Sequence, residues 1–178
     1  MFFDPHKMIL SDLQRLTSEQ TEAIHNLVKL GLIESEKLEI LVNEMAKDRF
    51  AKGKAYIEFA SKLDINSPED QPHIISRNYY GMYHLVRAVI FHTLRKDINN
   101  HDALPEVFSR SIKIEKSIVS FVGEKLDNWR DKRNDIDYSP YLPDDIAIIC
   151  EESIRDAKEI FIICKKYLQE RGVDLESY

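Results

Sequence analysis

Arg133 stands where an apolar side chain belongs. Over 118–136 the residues Ile118, Val122, Leu126, Trp129 and Ile136 recur at the spacing of one face of an amphipathic helix, and the position one turn after Trp129 is an arginine. A guanidinium turned inward without a partner costs several kcal/mol in desolvation. Asp137 stands one further turn on, within pairing reach. Such a pair is either a structural salt bridge at the end of a core helix or part of a functional site. Asn134 follows Arg133, and Tyr138 follows Asp137.

A second set of polar residues lies upstream. Arg77, Tyr80, His84 and Arg87, at spacings of three, four and three, form one polar stripe on a segment otherwise rich in Met, Val, Ile and Leu. Its neighbours Tyr79, Met82, Val86 and Val89 fall on another face and are expected to be core rather than a stacking platform, which needs exposure. The six histidines form no HExxH or close pair on one helical turn, so no metal site is expected. The chain also lacks a glycine-rich phosphate loop and a nucleophile elbow, and no cofactor is expected.

Helices must position these residues. Only five Gly and six Pro occur in 178 residues, Asn-Gly and Asp-Gly turns are absent, and helix formers recur at helical spacing, which predicts an all-α bundle of four or more up-and-down helices. Helices are expected near 7–15, from a Thr17 cap to Gly31, over 35–63 with a break near Lys47, over 72–96, in a short piece after Pro105, through Trp129 to Ser139, and from Pro143 toward Gly172. The 72–96 helix is apolar on most sides and should be central. The last helix carries the seam Ile146, Ile149, Ser153, Ala157, Ile160, Cys164 and Leu168. Residues 1–35 are read as an N-terminal helical arm and 36–178 as the bundle. The cadence of 24–33 also suits a winged-helix segment, but too little chain precedes it for a complete DNA-binding module.

Composition narrows the setting. Hydrophobic residues make up 43% of the chain, enough for one domain with a core. The first ten residues lack the pattern of a signal peptide and no apolar run approaches a membrane span, so a cytoplasmic protein without membrane attachment is expected. Cys150 and Cys164 lie about 21 Å apart along one helix and cannot bond to each other. The net charge is −6, yet from Arg77 to Arg133 eleven Lys or Arg face seven Asp or Glu, an excess of +4 that leaves −10 elsewhere. A local basic field can meet phosphates on an acidic protein, or it can be a solvated face beside an acidic helix.

The segment Ser76-Arg-Asn-Tyr-Tyr-Gly-Met-Tyr-His-Leu-Val-Arg-Ala88, followed by Arg133-Asn-Asp-Ile-Asp-Tyr138, resembles the HEPN superfamily, and within it the small prokaryotic branch with Arg-x-x-Ala-Asp-Tyr. The likeness covers about 125 residues from Met45 onward and leaves the N-terminal segment unexplained. The resemblance implies a helical homodimer whose motif arginines face a shared cleft, acting as a metal-independent ribonuclease or as a toxin–antitoxin component with a small nucleotidyltransferase as partner. In such ribonucleases the motif is Arg-x4-6-His. Here Tyr138 occupies the place of the His, and a group with a pKa near about 10 is a poor base at neutral pH.

RNA or nucleotide binding is therefore expected to outlast catalysis. Arg133, Asp137 and Tyr138 are the residues any chemistry would use, and Arg133, Asn134, Arg77, His84 and Arg87 are the expected binding set, with His84 a substitute base if the bundle brings it to Arg133. The alternative is a non-catalytic interaction module that docks a nucleotidyltransferase or another protein.

Overall fold

The computed structural model describes residues 18–178 except 33 and 140. They form an all-α bundle: α1 (Ser18–Lys29), α2 (Ser35–Ala60), α3 (Gln71–Leu94), α4 (Leu104–Ser111), α5 (Lys116–Tyr138) and α6 (Ile146–Gln169), with no strand among the described residues. The helix expected near 7–15 and the Thr17 cap lie outside them. No described helix is long and apolar enough to cross a membrane.

The apolar composition of α3 dictates its place. It packs against α2, α4, α5 and α6, and between Asn78 and His92 every residue except Tyr80 and Arg87 is buried. Arg77, Tyr80 and Arg87 stay half-buried at an edge of this helix, whereas His84, the remaining residue of the polar stripe, is buried. Around it, Phe50 of α2, Val122, Leu126 and Trp129 of α5, and Cys150, Ala157, Ile160, Cys164 and Leu168 of α6 close the main core. Both cysteines are free and buried. Asn78 satisfies its amide inside that core by donating to Ser153 Oγ at 2.9 Å, and Ser153 passes a hydrogen bond to the Cys150 carbonyl.

α2 runs unbroken through Lys47, contrary to the expected break. The shift of apolar register there is a change of neighbour instead: Leu38, Val42 and Met45 join Ile24 and Phe91 in a small second cluster, whereas Ala46 and Phe50 belong to the main core. Further along, Gly53 faces Gly81 where α2 and α3 approach most closely, and a Cβ on Gly53 would lie 2.9 Å from the Gly81 carbonyl oxygen.

Helix ends follow local chemistry. α3 stops at Arg95, which takes a left-handed conformation (φ 56°), and α5 stops at Ser139, extended (ψ 137°) as the residue before a proline must be. α6 begins at Ile146, three residues after the expected start. Pro143, Asp144 and Asp145 form a turn whose carbonyls at Pro143 and Asp145 accept from Ile146 and Ile149, so this stretch caps the helix rather than opening it.

Candidate functional site

Arg133 sits at the rim where α5 meets α3. One turn earlier Trp129 is buried and donates its indole N–H to Asp156 at 2.9 Å, while Lys125 neutralises the same carboxylate at 2.8 Å. That fixes the inward face of α5 and brings Arg133 over the edge of α3. Its side chain is only 13% exposed, its terminal nitrogen reaches Asp137 at 3.1 Å, and its guanidinium centre lies 5.5 Å and 5.3 Å from the rings of Tyr79 and Tyr80. The Nε atom is buried without a hydrogen-bond partner. Cation–π contact with two rings and one carboxylate therefore holds the charge, leaving part of its donor capacity unused.

Those rings belong to an aromatic cluster. The Tyr79 hydroxyl is 2.7 Å from His101 Nδ1, and the His101 ring stacks on Tyr83 with centroids 3.9 Å apart and planes 13° from parallel. Burial first, then the positive charges of Arg133 and Arg87, push the His101 pKa down, so its imidazole is neutral at pH 7. Burial pushes the phenols of Tyr79 and Tyr83 up, and both keep their protons.

The stripe residues divide. Arg87 is committed to Asp97, donating to both carboxylate oxygens at 2.8 Å and 2.7 Å, and Arg49 of α2 meets the same carboxylate at 3.0 Å. His84 is buried and stacked on Tyr56, 5.5 Å between centroids and 5° between planes. Desolvation, with Lys52 and Arg87 nearby, lowers its pKa to about 3. It is electrostatically suited to remain a neutral ring, and the imidazole whose surroundings include Arg133 is that of His101 instead. Arg77 lies over Tyr56 and Phe59 at 5.6 Å and 5.3 Å.

Arg133 and Asp137 are thus brought together, with half-buried Asn134 beside them. Tyr138 is not: its ring is 81% exposed, and among the described residues no ring contact or hydrogen bond joins it to Arg133. Tyr80 links the two halves of the site, touching Arg133 on one side and the Tyr56 ring, at 5.8 Å, on the other.

Charge is distributed unevenly along this face. Arg130, one turn before Arg133, is met by three carboxylates, Asp102 at 3.3 Å, Asp127 at 3.0 Å and Asp131 at 3.1 Å. Among the described residues no three His, Cys, Asp or Glu side chains gather as metal ligands. His101, Tyr56 and Asp97 were not marked by any sequence pattern. His101 and Asp97 lie in the loop after α3, where no periodicity tells which way a side chain turns, and Tyr56 is one of three rings on a helix of mixed faces. Comparison with protein-family models, with curated proteins and with solved structures returned no match.

Proposed function

We propose that the chain is a HEPN-like protein that binds RNA or a nucleotide at the edge of α3, with Arg133 as the phosphate anchor. The supporting observation is the state of that guanidinium: mostly buried, held over two tyrosine faces, paired once, and with an unpartnered Nε. An arginine immobilised in this way loses little further side-chain entropy on taking a phosphate. The adjoining neutral His101 supplies a hydrogen-bonding ring, and Asn134 supplies an amide. Binding without turnover is the preferred reading, because Tyr138 is turned to solvent and cannot stand in for a motif histidine.

On this reading the site is completed by a second copy of the chain. Support for a covering partner comes from Tyr138 and Tyr141, 81% and 82% exposed at and just past the C-terminal end of the helix that carries Arg133. The same exposure favours the second reading, a docking module for a nucleotidyltransferase or another protein.

Titration of a labelled single-stranded RNA at several salt concentrations separates the two. Binding through Arg133 predicts an affinity that falls with salt and a loss of roughly 10- to 100-fold in Arg133→Ala, the range for one charge-assisted hydrogen-bonding group. Docking alone predicts no salt-sensitive RNA association in either protein.

A further inference from the structure

The face that carries Arg133 continues past Tyr80 and Tyr56 into an open pocket between α2 and α3. Its walls are Lys52, Ala55, Tyr56, Phe59 and Arg77, and it holds about 440 Å³. Three properties distinguish it from the ordinary clefts of a helical bundle. No carboxylate lines it, and among the described residues neither Lys52 nor Arg77 forms an ion pair, whereas Arg133 shares its charge with Asp137 and Arg130 is met by three acids. One aromatic ring is left partly uncovered, Phe59, which is 49% exposed on the outer side of α2. The Arg77 guanidinium lies over the Phe59 and Tyr56 rings, and Tyr56 is also stacked on His84, so a planar group entering the pocket meets the Phe59 ring beside a cation.

An exposed ring next to unpaired cations fits a ligand that is flat, apolar on its faces and anionic at its edge, which is the description of one nucleotide unit. The groove of comparable size lined by Lys54, Ile57, Glu58, Lys158, Phe161 and Ile162 differs in carrying a carboxylate, Glu58, which pairs with Lys54. We infer that the Lys52–Tyr56–Phe59–Arg77 pocket seats a base and its phosphate from a single-stranded nucleic acid that lays another of its phosphates at Arg133. The inference rests on the proposed role of Arg133. The two ends are joined by steps of 5.3 Å from Arg133 to Tyr80, 5.8 Å from Tyr80 to Tyr56 and 5.6 Å from Tyr56 to Arg77, a track of two rings with a cation at each end. Such a track takes successive unstacked nucleotides and excludes a duplex, whose bases are not free to stack on protein.

The test uses the full chain and a ten-nucleotide oligouridine RNA carrying one 2-aminopurine, with a ten-base-pair RNA duplex for comparison. Phe59→Ala and Lys52→Ala change exposed side chains of α2, and circular dichroism checks that both variants keep their helices. The pocket predicts that the single strand is preferred over the duplex, that each variant weakens single-strand binding by about fivefold or more, and that 2-aminopurine emission is quenched by the parent protein but not by Phe59→Ala. If both variants bind like the parent while Arg133→Ala does not, the pocket is refuted and the Arg133 reading stands. If the duplex is preferred, stacking in the pocket is refuted. If the parent binds neither RNA at low salt, both proposals fall.

Discussion

Asp97 holds two guanidiniums at once. Arg87 and Arg49 come from different helices, each side chain is no more than 15% exposed, and the Asp97 carboxylate is the acid that meets both. Replacing it with Ala leaves two cations in a poorly solvated site, so Asp97→Ala is expected to destabilise the fold by about 3 kcal/mol, read as a shift in the urea midpoint. An unchanged midpoint would mean that water already solvates that corner. The sequence marks Arg133 clearly because a charge on a greasy stripe is conspicuous, and it marks Asp137 because four residues return to the same face of a helix. Tyr138 was selected by its place in a motif, but five residues rotate about 140° around the axis, which carries its ring to the solvent side. His84 looked equally available on the stripe, and only packing revealed that Tyr56 covers it. Arg87 belongs to the same stripe, yet its guanidinium is spent on a loop carboxylate that no helical period could place.

At the scale of elements, the α2–α3 contact depends on two residues without side chains. A Cβ at Gly53 would meet Leu85 Cγ at 2.8 Å and the Gly81 carbonyl at 2.9 Å, distances that require the helices to part. Ala is worth about 1 kcal/mol more than Gly in a helix interior, but overpacking a rigid backbone contact costs about 1–3 kcal/mol. Gly53→Ala is therefore expected to be net destabilising by roughly 1 kcal/mol, and a higher melting temperature in that variant would show that the helices separate at little cost. The central position of α3 was legible, since a helix apolar on most sides has to be surrounded. So was the α6 seam, whose predicted residues are all buried except Ile149. The supposed break in α2 was misread because a drifting apolar register has two causes, a bent helix or a straight one with successive partners, and the pattern alone does not separate them. The 143–145 turn was misread because Pro followed by two Asp suits a helix start as well as a turn that caps one.

For the whole molecule, buried histidines set the response to acid. His84 and His92 are nearly inaccessible, and desolvation lowers their pKa values to about 3 and about 4. The folded state keeps both rings neutral, whereas the unfolded chain binds protons near about pH 6.5, so stability is fully present above that value and is lost as pH falls from there toward 4. A decrease on the order of 1–2 kcal/mol per histidine is expected between pH 7 and pH 5 in urea unfolding, and a flat profile would contradict the burial of these rings. The net charge of −6 gives no hint of where anions are welcome. The sequence showed a basic middle, but folding neutralises its Arg130 and Arg87 while Arg77 meets no acid among the described residues, a sorting that depends on loops and helix faces meeting in three dimensions. The central claim, that Arg133 anchors a phosphate, is tested most directly by the salt dependence of single-stranded RNA binding in the parent protein and Arg133→Ala. A phosphate held by Arg133 gives a linear fall of log affinity with log salt for the parent, and in the variant weaker binding with a slope shallower by about 0.7 for the lost contact. Equal affinities and equal slopes in the two proteins would contradict it.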